Sequence, residues 1–380
     1  MTAPIRCPLI TDPEAGFAPS TDFDPLIARL HAEPSSAASA PGAEVFPRGT
    51  VRADGRLDLC KQGVGPIQAA RIADAAAHSP LVRHLLLGTN GLGTEGARAV
   101  ADALQPGHGI ETLYLGCNRI GPTGVGALAG RLAGDDTVKA LWLKRNPVGD
   151  QGVARLADAL SGNTAIRTLD LVNTGISGAG LTVLAVALAG RAPRLQRLYL
   201  GGNGFGPEIV PALAMLIHDA GIRELYLAAN HLGDDGAAAL GAAAEGVPMT
   251  FGLGGNGLTA AGAAELARRC GAWVALDLAR PPSERALGAV GNVVGDDGAA
   301  ALAERLPQAL LRRLDLRRTG IGGRGARQLV EAVDGHPTLE YLGITGGVPR
   351  RMRRHAAALL ADRPKTPPHS DIHAIASVYR

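Results

Sequence analysis

The residues of this chain able to do chemistry are few and widely spaced, and their spacing is what gives them meaning. Cys60 and His84 are a thiol and an imidazole, which become a nucleophile and its base when they meet. Tyr114, Trp142, Tyr199 and Tyr226 are four of only twelve aromatic residues, and each stands between two leucines. Asp170 stands in the same place in its own stretch, Leu169-Asp170-Leu171. Lys144, Arg197 and Glu224 accompany this first group, and Asp277, Arg313, Asp315 and Arg317 form a second one. Tyrosine and tryptophan beside arginine are the residue types that carry binding energy at protein interfaces. Mixed charges around them set partner choice and association rate. The alternatives are an aromatic ladder packed across neighbouring strands and a solvated charged surface.

What positions these residues is a repeat. Ile110–Leu132 reads IETLYLGCNRIGPTGVGALAGRL, and its skeleton of Leu113, Leu115, Asn118, Ile120, Gly124 and Leu128 returns along the chain. The Asn position runs Gln62, Asn90, Asn118, Asn146, Thr174, Asn203, Asn230 and Asn256, with four steps of 28 residues and then 29, 27 and 26. The L-x-L part alternates with period two and predicts a strand, whereas the residues after Gly121 follow helical spacing. Asn118 marks the corner between them, where an amide can satisfy backbone groups that neither element pairs. One such unit cannot bury its own apolar stripe, so units must stack on one another.

These motifs resemble leucine-rich repeats of the ribonuclease-inhibitor-like class, from about Arg56 to Leu360. The resemblance implies an α/β fold, a leucine-rich-repeat solenoid or horseshoe with a parallel sheet on the concave face and helices on the convex face. It is nearly silent on function, since such repeats serve inhibitors, receptors, GTPase-activating proteins and bacterial effectors. It is the aromatic and charged residues that point to a protein partner in the concave groove. Period-two alternation then directs Tyr114, Trp142, Asp170, Tyr199, Tyr226, Asp277 and Asp315 toward the groove in one column. Lys144 and Arg317 lie in the column after it, and Arg197, Glu224 and Arg313 in the column before. Those twelve residues are the expected partner-binding set. Ran-type GTPase-activating proteins are similar arcs, which makes GTPase regulation an alternative, although no acidic C-terminal tail accompanies the repeats here. A further alternative is an enzyme or small-ligand site at the Cys60–His84 end of the groove. Bacterial effectors with GAxALA-type repeats also look similar, but no F-box precedes the repeats.

Residues 1–50 are expected to flank and cap the solenoid, 51–348 to form about ten or eleven repeats, and 349–380 to form a basic cap and tail. Within the first segment 22–33 reads as a short helix and 34–41 as a flexible linker. Pro281-Pro282 replaces the ninth corner, and about eleven residues, 281–291, interrupt the pattern before Asn292. Ile372, Ala376, Val378 and Tyr379 make a short apolar segment that either folds back or stays a tail.

Bulk properties exclude several classes. Four cysteines without C-x-x-C spacing argue against a disulfide framework or a zinc site, so no metal and no cofactor is expected. No HExxH, Walker-type or GxSxG motif occurs. No apolar run reaches the length of a membrane span, and no secretory leader begins the sequence, so a cytoplasmic monomer is expected, with a secreted effector as the alternative. From Arg305 onward 14 Lys and Arg face six Asp and Glu, which makes a basic tip on a net charge of +3. Aromatics are nearly absent there, which argues against nucleic-acid stacking.

Overall fold

The computed structural model describes residues 5, 16–32, 42–189, 195–282 and 284–378. They fall into two compact units, one from Ile5 to Leu195 joined by the chain from Pro368 onward, the other from Gln196 to Pro367. The expected linker at 34–41, Cys7 and Tyr379 lie outside the described residues.

The N-terminal unit begins with α1 (Asp24–His31), whose Leu26 and Leu30 pack with Phe23 against the first repeat helix. β1 (Ala43–Val45) and β2 (Thr50–Arg52) form an antiparallel hairpin that pairs with β3 (Arg56–Asp58). The sheet therefore starts ahead of the repeats, which the repeat pattern did not indicate. From β3 the order is regular: α2 (Gly65–His78), β4 (His84–Leu86), α3 (Gly93–Ala103), β5 (Thr112–Tyr114), α4 (Pro122–Leu132), β6 (Ala140–Trp142), α5 (Gly149–Gly162), β7 (Thr168–Asp170) and α6 (Gly178–Leu188). Strands β3 to β7 are parallel and in chain order.

The C-terminal unit continues the scheme with β8 (Arg197–Tyr199), α7 (Val210–His218), β9 (Glu224–Tyr226), α8 (Gly233–Ala243), β10 (Thr250–Gly252) and α9 (Ala260–Arg269). β11 (Ala275–Asp277), α10 (Gly295–Arg305), β12 (Arg313–Asp315), α11 (Gly323–Val333), β13 (Tyr341–Gly343) and α12 (Arg350–Leu359) complete it. Its strands are again parallel and in register. α13 (Ser370–His373) belongs to the N-terminal unit.

Each strand is three residues long because only its middle residue and the leucine after it face the helices. Leu113, Leu115, Leu141 and Leu143 are fully buried, as are Leu198, Leu200, Leu225 and Leu227. The corner asparagines tie neighbouring repeats together. Asn146 donates to the carbonyls of Leu115 and Leu143, both at 2.9 Å, and its Oδ1 accepts from the amides of Asn118 (2.9 Å) and Ile120 (3.0 Å). Asn90, Asn118, Asn230 and Asn256 repeat the pattern. The residue before the corner is left-handed in most repeats, even where it carries a side chain, as at Cys117 (φ 59°), Arg145 (φ 56°) and Arg318 (φ 60°). A left-handed non-glycine residue costs about 1–2 kcal/mol, which the corner hydrogen bonds offset.

The ninth repeat shows how an interruption is absorbed. Asn292 takes the vacated corner, donating to the carbonyls of Leu253 and Leu278 at 3.0 Å and accepting from the amides of Asn256 and Leu258. Leu278 lies 14 residues before its asparagine instead of three, so eleven residues loop out while the ladder stays closed.

Candidate functional site

The side chains singled out by the L-x-L pattern occupy the face of each sheet that carries no repeat helices. Strand register puts Tyr114, Trp142 and Asp170 side by side, and likewise Tyr199, Tyr226, Gly252, Asp277 and Asp315. The two faces differ sharply in exposure.

In the N-terminal unit this face is closed. Tyr114 is 3% exposed, Trp142 1% and Asp170 1%, and Thr112, Ala140 and Thr168 in the preceding column are equally buried. Tyr114 lies flat on the floor, since a Cβ on Gly88 would come within 2.4 Å of its ring. The Lys144 ammonium lies 5.6 Å from the Tyr114 ring centroid. Burial lowers the Lys144 amine, although the Asp170 carboxylate opposes that shift. Burial likewise pushes the Asp170 carboxyl up to about 6, against the pull of Lys144 and a hydrogen bond from the Val172 amide. The expectation of solvent-facing Tyr114 and Trp142 anchors is corrected by these values: both rings are inside the protein.

Cys60 and His84 are not brought together. Register aligns His84 with Arg56, and Cys60 lies four residues further along the sheet, roughly 13 Å at 3.3 Å per residue. Burial, reinforced by Asp58, pushes the Cys60 thiol far up, so it holds no thiolate at neutral pH. His84 Nδ1 instead lies 3.0 Å from the Thr112 hydroxyl. The thiol–imidazole expectation is therefore corrected, because the two residues sit in different columns.

The C-terminal unit keeps its face open. Tyr199 and Tyr226 are half-buried and stacked, with ring centroids 4.2 Å apart and planes 5° from parallel. Gly252 makes room for Tyr226, because a Cβ there would approach the ring to 2.9 Å. Buried Arg197 pairs with Glu224 at 2.8 Å, and the Tyr226 hydroxyl donates to Glu224 at 2.9 Å. Further along, Asp277, Arg313 and Arg317 are exposed, while buried Asp315 holds Arg317 at 2.7 Å. The Arg313 guanidinium stacks 4.6 Å from the Tyr341 ring. Although the Asp277 side chain reaches solvent, crowding by its neighbours on the sheet and the nearby Asp315 carboxylate push its carboxyl up. The 281–291 insertion walls this end: Arg280, Glu284, Arg285, Arg317 and Arg318 line a cleft of about 660 Å³. Glu284, 4% exposed, pairs with Arg280 at 3.0 Å and anchors the wall.

Sequence reasoning missed one constellation. The terminal apolar segment, expected to fold back on the C-terminal cap or remain a tail, instead docks on the N-terminal unit. Asp371, 2% exposed, accepts hydrogen bonds from Arg167 Nη2 (2.7 Å), Arg167 Nε (3.0 Å) and the Thr168 hydroxyl (2.7 Å). The available signal was an aspartate opening a helical turn of apolar residues in an otherwise polar tail. A second omission is structural: His108, Asp135 and Asn163 recur in the loops leading back to the strands. There Asp135 and Asn163 accept amide hydrogen bonds, and His108 lies 2.5 Å from Asp135. Among the described residues no helix is long and apolar enough to cross a membrane.

Comparison with known proteins agrees with this architecture. A sequence model described as leucine-rich repeat matches residues 110–129, 222–241 and 309–330. No curated protein matches the chain. Among solved structures, one chain of the crystal structure of the Rad7 and Elc1 complex in yeast is similar, with a TM-score of 0.51 at 15% identity. That likeness covers 78% of this chain and 70% of the other. The chain is an α/β solenoid containing leucine-rich repeats.

Proposed function

We propose that this protein is an interaction scaffold that binds a partner protein on the open, helix-free face of its C-terminal unit. The observation that carries the reading is a contrast in exposure: Tyr114, Trp142 and Asp170 are closed off in one unit, whereas Tyr199, Tyr226, Asp277 and Arg313 keep accessible surface in the other. A soluble face needs no half-exposed tyrosine stack for stability, and aromatics flanked by arginine are typical anchors. Tyr199 and Tyr226 serve as that anchor, with Arg197 and Glu224 holding it rigid from below. Asp277, Arg313, Asp315 and Arg317 select the partner by charge, and the arginine-lined cleft accepts acidic side chains. The structural neighbour was solved in a complex of two proteins, which agrees with such a role. The long helix-bearing repeats support assignment to the ribonuclease-inhibitor-like class, and the proposal includes a monomer acting in the cytoplasm.

The experiment is affinity capture from the native cell with the full chain and with Y226A and R313A. Truncating a hot-spot tyrosine costs about 2 kcal/mol, so Y226A is expected to lower partner affinity about thirtyfold. Equal recovery of every partner by wild type, Y226A and R313A overturns the reading. Trp142 does not serve for this test, because removing a ring that is 1% exposed perturbs the fold itself.

A further inference from the structure

The N-terminal unit carries a ligand-like contact with part of its own chain. Asp371 has lost its water and is held by a two-pronged guanidinium and a hydroxyl, the arrangement by which arginine recognises a carboxylate. Ser370 Oγ accepts a third bond from Arg167 at 3.1 Å, and His369 Nδ1 accepts from the Asp371 amide at 3.2 Å. Ala374 (2% exposed) and Ile375 (0%) complete the buried side of the segment. Asp371 lies in the helical turn and Ile375 just beyond its end, four residues on, and both are buried where the segment docks.

Two features mark this segment as an occupant of a site more than a part of the core. A four-residue helix has no stability of its own, so its shape depends on what it docks against. It also follows a proline-rich stretch, Pro364 to Pro368, in which Thr366 is pinned by two hydrogen bonds to Glu340, so the segment departs from a fixed point and belongs to no repeat. Tethering keeps such a segment at an effective concentration near the millimolar range, so modest intrinsic affinity suffices to fill the site.

We propose that Arg167 and Thr168, at the head of β7, form a receptor site for an acidic helical turn, with residues 369–376 as its resident occupant. A partner protein that presents an aspartate with an aliphatic residue four positions later binds there by displacing the tail. The charge matches, because the guanidinium accepts one carboxylate, and the register matches, because the resident turn displays it. This site lies in the N-terminal unit and the open tyrosine face in the C-terminal one, so the failure of either reading is separable from that of the other.

The test uses full-length protein and a fluorescein-labelled peptide of residues 366–380. Anisotropy is measured with wild type, with D371A/I375D, whose own tail is disabled, and with R167A/D371A/I375D. Removing the tethered competitor is expected to tighten peptide binding about tenfold or more over wild type, and adding R167A is expected to abolish it. A D371N peptide is expected to bind as weakly as the chain lacking Arg167 allows. Should the tail variants melt early, hydrogen exchange of the 371–378 amides in wild type replaces them, and excess peptide is expected to accelerate that exchange. Binding that survives loss of Arg167, exchange unaffected by peptide, or a dimer with exchanged tails in light scattering overturns the proposal.

Discussion

Replacing Asn146 by alanine tests the physical basis of the stacked repeats. The side chain is fully buried and makes four hydrogen bonds, two donated to carbonyls and two accepted from amides, all between 2.9 and 3.0 Å. Alanine leaves the amides of Asn118 and Ile120 without their acceptor, and a buried orphan costs about 1–3 kcal/mol. The two carbonyls each lose one donor, at about 1 kcal/mol apiece. The expected loss is therefore about 4–8 kcal/mol, comparable to the whole stability of a small domain. N146T is expected to lose about half as much, since Thr174 and Thr319 hold the same corner with one hydroxyl bond to the carbonyl three residues back. Urea unfolding followed by circular dichroism measures both losses, and hydrogen exchange at the Asn118 and Ile120 amides reports the local one. A loss below about 1 kcal/mol for N146A, or equal losses for the two variants, refutes the ladder as the source of cohesion.

Asp170 makes stability depend on pH. Its folded carboxyl is pushed up to about 6 from 3.8, so the folded state holds the proton more tightly than the unfolded chain. The associated stability is present below about pH 4 and is lost as pH rises through 6, an effect of about 3 kcal/mol. D170N is expected to flatten that fall between pH 4.5 and 7.5, and parallel urea midpoints for variant and wild type would count against the assignment. Deleting residues 281–291 sets Asn292 three residues after Leu278, the spacing of the regular repeats. The deletion is expected to fold with a melting temperature within a few degrees of wild type, and collapse of the C-terminal unit in differential scanning calorimetry shows otherwise.

Much of the fold was legible because its contacts are periodic. Leucines two apart and an asparagine three further on recur every 26 to 29 residues, and the partners of Asn118 and Asn146 lie one repeat away. Any residue's column and strand neighbours can therefore be read by counting. That reading placed Tyr114 beside Trp142 and Tyr199 beside Tyr226. Counting also located the interruption at 281–291, because a broken period is as visible as an intact one. The left-handed residue before most corners was not visible, since Thr89, Cys117, Arg145 and Ala229 share no side-chain type.

What tertiary structure alone decided is which side chains meet solvent. Period two says that Tyr114 and Tyr226 face the same way, but not that one is sealed and the other open. The segment that packs on the N-terminal unit arrives from more than 200 residues away, where Asp371 meets Thr168 at a separation of 203. A contact of that range, made once and between unlike segments, leaves no periodic trace, so sequence determined the columns and the folded chain determined which of them remain available.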